Sequence, residues 1–222
     1  MSEDYGADRG LALHYLPEAD RPAMKALFAL SAAMGAVLRS TEEPMIGQIR
    51  LAWWREQLEA LTPDSPAPAE PRLRAAQVLL LPRGILGKDL AGLEQGWERM
   101  LDPFPWSVET TEGIWFRGVL AFGLAARILG TPNETLQQAG GVWALTDAAR
   151  YCSDAATRGL LIERARKIAP SLDGARFAKR LRPLSMLGAL AMRDVARGEP
   201  IEPEGTPGRA WTMLKHRITG RF

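Results

Sequence analysis

The sequence predicts an all-α, single-domain protein spanning residues 1–222. Apolar residues recur at steps of three and four along most of the chain, as in helices that bury one face. No stretch alternates polar and apolar residues for long enough to form a strand. The composition does not shift along the chain and no internal repeat is visible. These observations favour one bundle of about eight to ten helices.

The first two long helices are bounded by clear signals. The first is predicted to begin after Asp20, a residue type that often caps helices, with Pro22 in its first turn. The second begins at Pro44 and ends before Thr62. Segment 62–71 follows, and its four prolines remove backbone donors, so we expect an exposed and poorly contacted loop there.

The remaining helices are separated by prolines, glycines and polar residues. Asn133 is predicted to cap one helix, and Gly130 to end the helix before it. The periodicity predicts helices over residues 72–80, 85–101, 115–129, 134–156, 160–168, 175–197 and 209–218.

Composition and charge limit the classes of protein. The chain has 28 basic and 26 acidic residues, a formal charge of +2, which does not indicate a nucleic-acid partner. A single cysteine, Cys152, excludes an internal disulfide and is expected to be a small buried apolar residue. No apolar run approaches the ~18 residues of a membrane span, and the first ten residues are unlike a secretory signal. We therefore expect a cytoplasmic protein.

Segment 21–61, RPAMKALFALSAAMGAVLRSTEEPMIGQIRLAWWREQLEAL, says most about function. Its arginine, apolar aromatic run, EP, G, RL and WWR resemble the opening helix pair of the squalene/phytoene synthase family, which joins two prenyl diphosphates head to head. Weaker likenesses extend the frame over about residues 21–217. The resemblance implies an isoprenoid-synthase-type bundle, with the helices around Gly35, Arg50, Gly123 and Arg150 lining one central cavity.

The first aspartate-rich motif of that family is absent here. Its two carboxylates, four residues apart on one helix face, hold the Mg²⁺ that neutralises the diphosphate leaving group. The frame places those positions at Gly35 and Arg39. A guanidinium repels a metal ion, and Glu42 and Glu43 at the helix boundary are poor substitutes, so we expect no metal site.

Only remnants of the second motif are present. Asp147, Arg150 and Asp154 are spaced i, i+3 and i+7, on one face of the predicted helix 134–156. Asp147 and Asp154 are the remnant catalytic candidates, and this wall is expected to face Gly35 and Arg39. One interpretation is a residual diphosphate site. The other, favoured with respect to metal, is a salt-bridge ladder in which Arg150 neutralises both carboxylates.

Three functions remain open. The first is a non-catalytic accessory or assembly protein, because the eroded motifs resemble those of the mitochondrial assembly factor for respiratory complex I and its bacterial relatives. This implies a respiratory-complex partner and a position peripheral to the inner membrane. The second is an atypical prenyl transferase that uses Mg²⁺ and holds diphosphate with Arg39, Arg50 and Arg150. The third is a carrier that binds an isoprenoid or lipid in an apolar cavity.

A basic cluster lies near the C-terminus. Its members are Arg209, Lys215, His216, Arg217 and Arg221. A basic helix that touches an anionic lipid surface and a solvated basic tail both fit this pattern.

Overall fold

The computed structural model describes residues 6–66 and 68–222; residues 1–5 and Ala67, which belong to the predicted domain, lie outside it. The described residues form eleven α-helices and contain no strand, which confirms the all-α prediction. The helices are α1 (Ala7–His14), α2 (Arg21–Arg39), α3 (Pro44–Glu59), α4 (Pro71–Leu79), α5 (Gly87–Ala91), α6 (Leu93–Glu98), α7 (Val108–Ile128), α8 (Glu134–Tyr151), α9 (Ala155–Ile168), α10 (Arg182–Arg197) and α11 (Pro207–Thr219). Short 3₁₀ turns lie at Leu81–Arg83, Arg99–Leu101 and Ala169–Leu172.

Several helix boundaries differ from those that the sequence predicts. The predicted helix 134–156 is interrupted after Tyr151, and Asp154 caps the start of α9 instead of continuing α8. The predicted helix 85–101 is broken into α5, α6 and a 3₁₀ turn, and residues 175–181 precede α10 without being helical. Helix α1 was not predicted, because its short length gives little periodic signal.

Asp20 precedes α2, but it does not cap that helix with its side chain. Its carboxylate instead lies 2.7 Å from Nη2 of Arg180 and 3.7 Å from Nη2 of Arg83. Helix α2 therefore begins after Asp20 as predicted, but the carboxylate makes no capping hydrogen bond and instead ties the start of α2 to two distant segments. Asn133 does cap α8 as predicted, since its side chain accepts a hydrogen bond from the backbone N–H of Leu136 at 2.7 Å.

Helix α2 is long and apolar enough to cross a membrane by length and composition, although no apolar run of this kind was predicted. Of this apolar window, 56% is buried inside the fold. Core helices of globular proteins share this length and composition. Met24, Leu27, Leu30 and Met34 are fully buried along α2, and they form the stripe that packs on the neighbouring helices.

The proline-rich segment 62–71 is mostly exposed where it is described, and Ala67 lies outside the described residues. The loop makes more hydrogen bonds to the rest of the fold than the predicted poorly contacted loop would. The side-chain amide of Gln77 on α4 donates hydrogen bonds to the carbonyl oxygens of Thr62 at 2.9 Å and Ser65 at 2.8 Å. The loop is therefore fastened to the helix that follows it.

Helices α7 and α8 form the centre of the bundle, and α9 and α10 also pack against α8. Two glycines allow α7 and α8 to approach closely. A Cβ atom added to Gly140 would lie 2.5 Å from the carbonyl oxygen of Gly118 and 2.4 Å from Cγ of Phe122. The two backbones therefore meet at a place where no side chain fits.

Gly140→Ala is expected to lower the free energy of unfolding by about 2–3 kcal/mol, because a backbone carbonyl cannot move aside for the new methyl group. Gly159→Ala on α9 is the matched control, since no atom lies within 4 Å of the added Cβ. That control is expected to be unchanged or more stable by up to about 1 kcal/mol. Urea unfolding monitored by circular dichroism measures both, and equal stability of the two variants would contradict the close approach.

Candidate ligand-binding cavity

A cavity of about 760 Å³ opens between α2, α7 and α8, beside the connection from α6 to α7. This volume is typical of small-molecule sites. Much of its lining is apolar and aromatic, contributed by Leu38, Trp97, Met100, Phe104 and Trp106. The cavity can therefore accept the apolar part of a ligand.

Arg117 on α7 supplies a buried positive charge to this lining. It is 6% exposed, and its guanidinium carbon lies 3.6 Å from the centre of the Trp97 ring, as in a cation–π contact. It makes no ion pair with any residue that the structure describes, and its Nε donor is buried without an acceptor. Burial lowers the pKa of Arg117 to about 10, an effect that the nearby Asp147 opposes. The side chain is therefore a cation at neutral pH.

Two glycines build this arrangement. A Cβ added to Gly96 would lie 2.4 Å from Cβ of Arg117, so α6 and α7 meet closely here. A Cβ added to Gly35 would lie 2.8 Å from the ring of Trp97. The indole thus lies against α2 at the position where the resemblance places the first carboxylate of the family. A carboxylate at position 35 would collide with Trp97.

Two further arginines, Arg9 of α1 and Arg39 of α2, contribute to the lining, and Arg39 is exposed. Asp147 of α8 is the one carboxylate among the described lining residues. Tyr151 follows on α8 and is 67% exposed. Partial burial, with smaller contributions from nearby carboxylates, raises the pKa of the Tyr151 phenol, so it stays protonated at neutral pH. The polar side of the cavity thus carries more positive than negative groups.

Glu204 lies close to this polar side, because a Cβ added to Gly6 would meet its Oε2. Burial raises the pKa of Glu204, and the positive charge of Arg9 partly offsets this effect. Glu204 is not part of the cavity lining.

Asp154 does not belong to the cavity, which corrects the prediction of a wall formed by Asp147 and Asp154. Its side chain caps α9 by accepting a hydrogen bond from the backbone N–H of Thr157 at 2.7 Å. This bond lowers the pKa of Asp154. A capping carboxylate is already satisfied, so Asp154 is a structural residue.

Arg150 is not among the residues that line this cavity, and its predicted contact with diphosphate stays a prediction. Its Nη2 donates to Asp194 of α10 at 2.9 Å, and its Nη1 donates to the carbonyl oxygen of Glu202. It forms no ion pair with Asp147 or Asp154, so the predicted ladder on one helix face is absent.

Arg50 does not line the central cavity, where the sequence predicts it. Its Nη1 donates to the hydroxyls of Ser40 at 3.0 Å and Thr41 at 2.9 Å, which ties α3 to the connection from α2. It also lines a separate cavity of about 530 Å³ between α2, α3 and α4. Gly123 lines neither cavity and packs near Gln137. Of the predicted walls, α2, α7 and α8 therefore line the central cavity and α3 does not.

The residues present do not fit a Mg²⁺ site. In the described chain, no three His, Cys, Asp or Glu side chains are grouped as metal ligands would be. Mg²⁺ prefers oxygen donors, whereas this lining combines Asp147 with Arg9, Arg39 and Arg117. Such a set of groups attracts an anion and repels a cation.

Sequence reasoning missed Arg117, which is the buried arginine of the cavity lining. The signal was present, because Arg117 is the one cation in the otherwise apolar stretch 115–126, WFRGVLAFGLAA. It precedes Gly118 and follows Ile114 by three residues, so helical periodicity alone places it on the buried side.

Comparisons with protein-family models, with curated proteins and with solved structures found no match to this chain. The likeness to squalene/phytoene synthases therefore rests on the sequence frame alone and remains a hypothesis.

Proposed function

We propose that this chain is a squalene/phytoene synthase-like accessory protein that binds an amphipathic anion of the isoprenoid or lipid class without Mg²⁺ and without condensing it. The observation that carries the proposal is Arg117. It is a buried guanidinium with no ion-pair partner among the described residues, and it lies against Trp97 in a largely apolar cavity.

The charge of Arg117 is costly unless something compensates it, because burying a cation removes its hydration. An anionic head group held in the cavity would supply the missing acceptors. Charge-assisted hydrogen bonds to a guanidinium are among the stronger ones in proteins. The neighbouring aromatic lining then covers the apolar part of the same molecule, as in other small-molecule sites.

Condensation of prenyl diphosphates makes different demands. The diphosphate leaving group carries about three negative charges. Metal ions neutralise these charges, and the metal ions are held by carboxylates on two facing helices. Here the α2 wall presents Gly35 and Arg39, and Trp97 fills the space beside Gly35. The α8 wall contributes Asp147 alone. These groups favour retention of an anion over its ionisation, so the accessory role, with its respiratory-complex or membrane-surface partner, is the function we propose.

Isothermal titration with farnesyl diphosphate tests this. We expect the purified full chain to bind it equally in EDTA and in Mg²⁺, and to release no pyrophosphate above background. Arg117→Met is expected to weaken binding about 10- to 100-fold, the loss that corresponds to about 1.5–3 kcal/mol for hydrogen bonds to a charged group. Removing an uncompensated buried charge should leave the thermal midpoint unchanged or higher.

Arg166→Met is the matched control, because Arg166 is an exposed arginine of α9 outside the cavity. It should bind like the unmodified chain. Absence of binding, or equal binding by Arg117→Met, would overturn the cavity as an anion site. Mg²⁺-dependent pyrophosphate release that is lost in Asp147→Asn would instead establish the transferase.

A further inference from the structure

Helix α11 exposes an apolar stripe to solvent. Trp211 and Ile218 are 67% and 70% exposed, and Leu214 between them is 39% exposed. Their i, i+3 and i+7 spacing places them on one face, opposite the buried Arg209, Met213 and His216. The helix is therefore anchored in the fold by one face while its other face presents large apolar side chains.

The surroundings of this stripe are basic. Segments 174–182 and 207–222 contain eight Lys and Arg residues and no Asp or Glu. An isolated backbone bridge between Arg176 and Arg221 joins the two segments, so they form one surface. Six of these cations have no carboxylate within 4.0 Å in the described part of the chain, and they are Arg176, Lys179, Arg182, Lys215, Arg217 and Arg221.

We infer that α11 is a membrane-contact helix that lies on an anionic phospholipid surface. A tryptophan with aliphatic neighbours inserts at the boundary between head groups and acyl chains, and flanking Lys and Arg attract anionic lipid. A second copy of the chain fits poorly, because pairing this face with itself would oppose two sets of uncompensated cations. A polar polyanion would leave the apolar stripe uncovered.

A second exposed apolar patch, on α3, provides a contrast. Met45, Ile49 and Trp53 are 70%, 65% and 42% exposed there. Two exposed carboxylates, Glu42 and Glu43, directly precede that helix. Exposed tryptophan is thus common to both patches, while the uninterrupted positive charge belongs to α11 alone.

Vesicle co-sedimentation of the full chain tests the inference without any cavity ligand, so its outcome is independent of anion binding in the cavity. We expect binding to vesicles of phosphatidylcholine with about 30% phosphatidylglycerol, weak binding to pure phosphatidylcholine, and a decrease as salt is raised. Lys215→Glu/Arg221→Glu should reduce partitioning at least about 20-fold, because each lost cation weakens it about five-fold. Trp211→Ser/Ile218→Ser should reduce it more than ten-fold through lost apolar burial.

Trp53→Ser is the matched control and should partition like the unmodified chain. All variants change exposed residues, so unchanged circular dichroism melting curves will show that they remain folded. Failure of the unmodified chain to bind anionic vesicles overturns the inference. An equal loss of binding in Trp53→Ser and Trp211→Ser/Ile218→Ser also overturns it.

Discussion

Arg209→Met is expected to lower the free energy of unfolding by about 3–5 kcal/mol, the usual cost of removing one member of a buried ionic cluster. Arg209 is 2% exposed on α11. Its Nε donates to Asp8 of α1 at 2.7 Å, and its Nη1 donates to Asp194 of α10 at 2.6 Å. Without the guanidinium, Asp8 loses its ion-pair partner and Asp194 keeps Arg150 alone.

Urea unfolding with an unchanged m-value measures this loss. Lys215→Met is the matched control, because Lys215 is an exposed cation of the same helix, and its stability should change by less than about 0.5 kcal/mol. Adding Asp8→Asn to Arg209→Met should recover part of the loss, because it removes one of the stranded charges. Equal stability of Arg209→Met and Lys215→Met would show that the cluster does not hold α11 in place.

Acidification is expected to destabilise the protein through His216. This side chain is 3% exposed, and its Nε2 lies 2.7 Å from the hydroxyl of Ser185 while its Nδ1 lies 3.0 Å from the carbonyl oxygen of Arg221. In the neutral ring, Nδ1–H donates to that carbonyl and Nε2 accepts from Ser185. Burial, with a smaller contribution from the nearby charge of Arg182, lowers the pKa of His216 from 6.5 to about 4, although the hydrogen bond to the carbonyl of Arg221 opposes this shift. The fold therefore prefers the neutral ring.

The sign follows from proton binding. Between pH 6.5 and about 4, the unfolded chain binds a proton at position 216 and the folded chain does not, so acid favours unfolding. The contribution of His216 is fully present above pH 6.5 and is lost as the pH falls toward 4. It amounts to about 2–3 kcal/mol by pH 4.5, at about 1.4 kcal/mol for each unit between the two pKa values.

The unfolding free energy is measured from pH 7.5 to 4.5 for the unmodified chain and for His216→Asn. Carboxylates titrate in both proteins, so the difference between the two pH profiles isolates the contribution of His216. The asparagine variant is expected to start less stable and to lose about 2–3 kcal/mol less across that interval. Parallel pH profiles would mean that His216 titrates alike in the folded and unfolded chains.

Local sequence signals predicted those parts of the site that depend on one helix at a time. Pro44 begins α3, Asn133 caps α8, and Gly35 and Arg39 were recognised on α2 as lacking the two carboxylates of the family frame. Each of these follows from side-chain chemistry within a few residues.

The same reasoning failed for Asp154 because it assumed that one helix continues past Tyr151. An i+7 spacing aligns side chains only along an unbroken helix. Asp154 instead hydrogen bonds to the backbone of the next helix, and local bonds of this kind compete with helix continuation. Arg150 was misplaced for a related reason. Its nearest carboxylates along the chain are Asp147 and Asp154, but α10 brings Asp194 closer.

The sequence by itself determined that this protein is a helical bundle, where most of its helices lie, and that the helix carrying Gly35 and Arg39 has no pair of metal-binding carboxylates. Only the tertiary structure decided that Trp97 fills the space beside Gly35 and that Arg117 is a buried cation without an ion-pair partner among the described residues. Helix periodicity depends on neighbours three and four residues away, and it can therefore be predicted from the chain alone. The ion pairing of a buried charge depends on residues from separate helices, whose approach is set by close contacts such as Gly96 against Arg117.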